Sequence, residues 1–256
     1  MIQYSDPQRW LVVQFRPGSA GKLLTVALQT IDRVAPWHTP FRPWVRTLWR
    51  NSTDTWLRNE PYHQWGTDFF SRTMPRGNHV TSQEFDRLCD QQATERLRKV
   101  WASDQLVIDY YHRSELPAWW QAAHVVRLDA DHQNPRYRHM VLDKLFPWNS
   151  HTQTGVCQFD NPAMTRADHP IARQFQNQYR YDQFRSEDEW YNFALEDPRM
   201  SFEIPTPKYD LEQIVSQQGL HQTVADVAQQ LQSDYNRDDL DLVWQRWSTA
   251  NSRYLD

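Results

Sequence analysis

Glycine is scarce in this chain, with six residues in 256. Two of them, Gly18 and Gly21, fall in one short loop. Cysteine is scarcer, with only Cys89 and Cys157. They lie far apart and form no C-x-x-C, so two free thiols in a reducing compartment are expected. No apolar run approaches the ~20 residues of a membrane-spanning helix. MIQYSDPQRW has no basic start leading into an apolar stretch, so the sequence predicts no cleaved leader and a cytoplasmic setting. Neither sign of charge dominates: 28 Lys and Arg face 32 Asp and Glu, a net charge of −4. That balance excludes general nucleic-acid binding and an anionic membrane surface, though not a local basic pocket. The ten histidines show no H-E-x-x-H or H-x-x-x-H spacing on a clear helix, so no metal site is expected.

Aromatic residues are plentiful. Thirteen Trp, eleven Tyr and eleven Phe supply much of the core volume, because each buries a large area. The length suits one α/β domain over residues 1–256, with no linker composition and no internal repeat. Residues 36–80 read as an irregular aromatic-rich insertion. There Trp37, Trp44, Trp49, Trp56 and Trp65 interleave with Arg42, Arg46, Arg50 and Arg58. They either plug the helix layer over a sheet or close as a lid on a substrate. Residues 149–170 carry little apolar periodicity and read as a long loop.

The most pointed local signal is WLVVQFRPGSAGKLLTVAL, residues 10–28. An apolar strand over 10–15 meets a tight Pro17-Gly18-Ser19-Ala20-Gly21-Lys22 loop, and a helix over 21–33 follows. Such a unit aims backbone amides and a lysine at one spot, where an anion is favoured. It is not the full triphosphatase signature, which needs Gly at 16 and Ser or Thr at 23. The chain has Arg16 and Leu23, so the usual Mg²⁺-holding hydroxyl is missing. Nor is it a G-x-S-x-G elbow, since Gly18 directly precedes Ser19.

Further strands are predicted over 106–109, 124–128 and 200–204. Helices are predicted over 81–100, 135–146 and 186–196, from 210, and along the Val224–Leu231 and Leu240–Trp247 faces. Strands alternating with helices predict a mostly parallel central sheet with helices on both faces. Ligands of such sheets bind at the carboxyl ends of strands. If the first three strands are neighbours, Lys22, His112 and Arg127 converge on one crevice. Lys22 and Arg127 would neutralise phosphate charge, and His112 could accept a proton from an acceptor hydroxyl.

The segment LVIDYYHRSELPAWWQAAHVVRLDAD, residues 106–131, resembles the middle of the sulfotransferases. In that family a strand ends in Lys-Thr-His, a Leu-Pro follows, and the next strand ends in Arg-Asn-Pro. The matching elements are His112, Leu116-Pro117 and Arg127. The opening loop is similar to the family's Pro-Lys-Ser-Gly-Thr-Thr phosphosulfate loop, with Pro17 and Ser19 in register. The resemblance implies a three-layer P-loop-type α/β fold and 3′-phosphoadenosine 5′-phosphosulfate as the sulfuryl donor. It implies that Pro17, Gly18, Ser19, Ala20, Gly21 and Lys22 hold the phosphosulfate. His112 would be the catalytic base, assisted by Lys22, and Arg127 the ligand of the 3′-phosphate. The acceptor would be a small molecule or a glycan bearing a hydroxyl or amine. Similar chains occur in marine bacteria and their phages, which places a phage-encoded copy in the host cytoplasm. The sequence departs from the family at Gly18 and Tyr110, where lysines are expected, and at Pro135, where a serine is. Two alternatives stay open: a nucleotide or small-molecule kinase on the same scaffold, and a non-catalytic relative acting as a binding protein.

Overall fold

The computed structural model describes residues 2–16, 19–35, 81–92, 98, 100–111, 115–121, 123–145, 187–196, 203–206 and 208–255. The expected 36–80 insertion and the 149–170 loop lie outside these residues, as do Pro17, Gly18 and His112.

Among the described residues four strands form an all-parallel sheet: β1 (Trp10–Phe15), β2 (Val107–Tyr111), β3 (His124–Asp129) and β4 (Tyr209–Asp210). Their order is β2-β1-β3-β4, with β1 between its two partners. The α/β class and the first three strands match the sequence reading. Of the fourth, predicted over 200–204, residues 200–202 lie outside the described residues. Glu203 and Ile204 carry no strand pairing, and sheet pairing is taken up by Tyr209 and Asp210 instead. Ile204 is buried, so its apolarity records burial rather than extension. The chain turns at Pro205 and at Thr206, whose φ is 45°, before Lys208 N donates to Arg127 O at 3.2 Å.

Successive strand residues point to opposite faces. Trp10, Val12 and Gln14 therefore share one face of β1, and Leu11, Val13 and Phe15 the other. Every residue of β1 is buried, as expected of a parallel strand covered on both sides. Helix α1 (Gly21–Ala27) covers the Phe15 side. A Cβ built on Gly21 would lie 2.0 Å from Phe15 Cγ, so this position requires glycine for close packing. The α-helix is shorter than the predicted 21–33. It tightens into a 3₁₀ turn over Leu28–Thr30 and ends where Ile31 bridges Tyr235. Thr30 Oγ1 donates to Ala27 O at 2.7 Å, one of the local side-chain bonds that compete with further helix.

The Trp10 face holds many of the aromatic residues noted in the sequence. The Trp10 ring lies 6.1 Å from Phe85, 5.7 Å from Trp101 and 5.5 Å from Trp120, in tilted or edge-on contacts. Phe85 belongs to α2 (Ser82–Gln92), whose start is capped as the sequence suggested: Thr81 Oγ1 accepts from Glu84 N at 3.2 Å. Arg98, Val100 and Trp101 are also helical. Arg9 stacks on Trp101 at 5.0 Å and donates to the carbonyls of Val100, Trp101 and Gln105, pinning the approach to β2.

After β3 come α3 (Pro135–Leu145) and α4 (Glu187–Glu196). β4 runs directly into α5 (Leu211–Ile214), with the Asp210 side chain accepting from Gln213 N. Helices α6 (Gln217–Gln230) and α7 (Arg237–Ala250) follow. Of the predicted apolar faces, Val224, Val227, Ala228 and Leu231 near α6 and Leu240, Val243 and Trp247 on α7 are buried, while Trp244 is half-buried against the same core. Among the described residues no helix is long and apolar enough to cross a membrane.

Candidate functional site

The sheet order creates one topological switch point. The connection from β1 leads to β2 on one side, and that from its neighbour β3 leads to β4 on the other. In open parallel sheets ligands bind in the crevice outside the carboxyl ends of the strands at such a point. By that rule the ligand crevice of this sheet would lie where β1 and β3 end, beside Arg16 and Asp129. The start of α1 sits beside it.

Ser19, Ala20 and Gly21 are all buried. Ser19 Oγ donates to Arg16 O at 2.7 Å, and Ser19 N donates to the same oxygen at 3.2 Å. Ala20 takes the left-handed conformation, φ 58°, ψ 17°, and precedes α1 without a side-chain cap. The loop therefore turns sharply, with its serine hydroxyl engaged by its own backbone. Lys22 occupies the first turn of α1. Leu23, where a kinase-type loop would carry the metal-binding hydroxyl, is fully buried. Thr25 Oγ1 donates to Gly21 O at 2.7 Å inside the helix.

Arg127 pairs in register with Gln14 and shares the Trp10 face. Its Nε donates to Gln14 Oε1 at 3.0 Å, and Gln14 is fully buried. Arg127 therefore leaves the sheet on the face opposite Phe15 and Gly21. Asp109 of β2 is a fully buried acid on that same face, in register with Val12.

The sequence reading missed the cluster at the crevice itself. Arg16, next on the Trp10 face after Gln14, is 6% exposed. Its Nε lies 3.2 Å from Asp129 Oδ1, and its Nη2 donates to Asp129 Oδ2 at 3.4 Å. Its Nη1 donates to Ala130 O at 3.3 Å and contacts His132 Nε2. A guanidinium has no acceptor, so His132 Nε2 must be the accepting nitrogen and Nδ1 carries the proton. Tyr191 Oη donates to His132 O at 2.9 Å, and the Tyr137 ring stands edge-on to His132 at 5.8 Å. The one available signal was Arg16 itself, standing where a phosphate loop would have glycine.

Electrostatics follow from this packing. Burial lowers the His132 pKa, and Arg16 lowers it further against the opposing pull of Asp129 and Asp131. Burial raises Tyr137 well above the ordinary phenol value and Tyr191 to about 12. The imidazole and both phenols are therefore neutral near pH 7. Elsewhere on β3, burial and the Arg33 charge lower His124. Around the crevice Arg136 pairs with Glu212, and Arg138 pairs with Asp188 while lying 4.9 Å over the Tyr191 ring. These ties fix the β3–α3 corner against α5 and α4. Among the described residues no group of three or more His, Cys, Asp and Glu side chains is placed to hold a metal ion.

No protein-family model, curated protein or solved structure matches the chain.

Proposed function

We propose that the chain is a sulfotransferase-like P-loop enzyme. It would move a sulfuryl group from 3′-phosphoadenosine 5′-phosphosulfate to a hydroxyl or amine of a small molecule or glycan. The observation that carries the reading is the position of the β1–loop–α1 unit at the switch point between β1 and β3. In this reading the loop amides and Lys22 neutralise the phosphosulfate, and Arg127 holds the 3′-phosphate. His112 takes the acceptor proton as the acceptor oxygen or nitrogen bonds to sulfur. The bond from sulfur to the bridging phosphate oxygen breaks, and adenosine 3′,5′-bisphosphate leaves. The test is transfer of labelled sulfate from the donor to a panel of acceptors. His112→Ala should lose about 10²–10⁴-fold in turnover while donor binding persists, and Arg127→Ala should chiefly weaken donor binding. Donor that binds but transfers to no acceptor would reject the enzymatic reading.

A non-catalytic relative is the second reading. It is favoured by the engagement of Ser19 Oγ with Arg16 O and of Arg16 with Asp129, which leaves the crevice charge internally balanced. A kinase is disfavoured by Leu23, buried where a metal-binding hydroxyl would be needed. A thermal-shift panel of adenosine 3′,5′-bisphosphate, ATP with Mg²⁺, and sulfate separates the three, because a ligand of the native state raises its melting temperature.

A further inference from the structure

We propose that Asp129 is an internal placeholder for a ligand oxyanion on Arg16: an incoming sulfuryl or phosphoryl group takes the Nε–Nη2 edge of Arg16, and Asp129 yields it. This rests on the anion-donor reading above and adds a residue which that reading does not use.

Asp129 presents both carboxylate oxygens side-on to Nε and Nη2, at 3.2 and 3.4 Å. Two oxygens of a sulfate or phosphate offer a guanidinium the same bidentate pattern. The opposite side of the guanidinium is fixed independently. Nη1 is held by Ala130 O and the His132 imidazole, neither of which is an anion. Arg16 thus keeps its orientation when Asp129 leaves.

Asp129 also has somewhere to go. Its Oδ1 accepts from Ala130 N at 2.8 Å, the shortest of its bonds. Its side chain is 24% exposed, against 7% for Arg16. Losing the fork leaves the carboxylate a backbone partner and water. The swap exchanges one anion for another, so the buried guanidinium is never left uncompensated, a state that would be expensive. It also occurs at the switch point, where this sheet order places its ligand.

The test is calorimetric titration at fixed ionic strength in chloride. The probes are adenosine 3′,5′-bisphosphate, inorganic pyrophosphate and inorganic sulfate, and the proteins are wild type, Asp129→Asn, Asp129→Ala and Arg16→Gln. Urea melts check that each variant folds. A competing internal anion lowers apparent affinity by the fraction of time the site is free. Removing its charge in Asp129→Asn should therefore tighten anion binding about tenfold, with Asp129→Ala acting alike and Arg16→Gln abolishing the gain. Should Arg16→Gln fail to fold, the two Asp129 variants decide alone. If both fold and bind the anions no better than wild type, the placeholder is overturned. Adenosine bisphosphate that binds wild type and Asp129→Asn equally leaves the donor reading standing and overturns the exchange. Sulfate or pyrophosphate that gains affinity in Asp129→Asn, while adenosine bisphosphate binds neither protein, supports the exchange and removes the donor reading. Absence of binding by every probe overturns both.

Discussion

Arg16 and Asp129 join the carboxyl ends of two adjacent strands, with Arg16 Nε 3.2 Å from Asp129 Oδ1. The tie closes the end of the sheet at the point where its strand order reverses. Arg16→Ala would leave Asp129, Ala130 O and His132 without their shared donor. Removing one partner of a buried pair costs about 3–5 kcal/mol. The partial exposure of Asp129 reduces that to about 2–4 kcal/mol by the same reasoning. Urea unfolding of the variant measures it, and a loss under ~0.5 kcal/mol, the range of an ordinary surface change, would mean that the pair contributes little.

Gly21 and Phe15 are similarly coupled. A methyl group at position 21 would sit 2.0 Å from Phe15 Cγ, so Gly21→Ala should destabilise by about 1–3 kcal/mol through overpacking. Adding Phe15→Leu should recover part of that loss, and the double-mutant cycle would then give a coupling above ~0.5 kcal/mol. Additive effects would contradict the contact.

The Asn236 side chain caps α7 by accepting from Asp239 N at 2.8 Å, while Asn236 N donates to Thr30 O at 2.9 Å. Only the side-chain bond is lost in Asn236→Ala. The expected cost is about 0.5–2 kcal/mol, read from the shift in urea midpoint, and an unchanged midpoint would count against the cap.

His124 and His132 both titrate below the ordinary value of 6.5, chiefly through burial, with Arg33 and Arg16 adding to the effect. The unfolded chain takes up these protons near pH 6.5, and the folded protein only at lower pH. In between, the unfolded state binds more protons. Stability should therefore fall as pH drops from about 6.5 toward the folded values, then stop responding to these two groups. Urea midpoints across that interval measure the slope. His132→Gln, which keeps an acceptor for Arg16, and His124→Gln should each flatten it. A slope unchanged in both variants would assign the pH dependence elsewhere.

Much of the sheet was legible because its signal is local. Short apolar runs at 10–15, 106–109 and 124–128 stand between helical patterns, and each became a parallel strand. At the end of the predicted 200–204 strand, Ile204 is buried but carries no strand pairing; burial and membership of a sheet leave the same mark on a sequence. The strand that does form, Tyr209–Asp210, is too short to show any period. The crevice was harder still. Arg16 lies far along the chain from Asp129 and His132, and no spacing rule links it to them. They meet only because β1 and β3 are neighbours in register, Gln14 with Arg127 and Phe15 with Leu128. Asp129 lies two residues after Arg127 on the same strand, yet it pairs with Arg16, and Arg127 pairs with Gln14. Alternation explains this directly. Arg16, Gln14, Arg127 and Asp129 share one face, and Asp129 is next to the strand end that Arg16 leaves.

The central claim is that this crevice takes the anionic end of an adenosine bisphosphate-type donor. Its most direct measurement is calorimetric titration of adenosine 3′,5′-bisphosphate into the wild-type protein and into Lys22→Ala. The account predicts saturable one-site binding to the wild type. In the variant it predicts a loss of about 1.5–3 kcal/mol, the range of a charge-assisted hydrogen bond. Equal affinities in the two proteins, or no binding to the wild type, would contradict it.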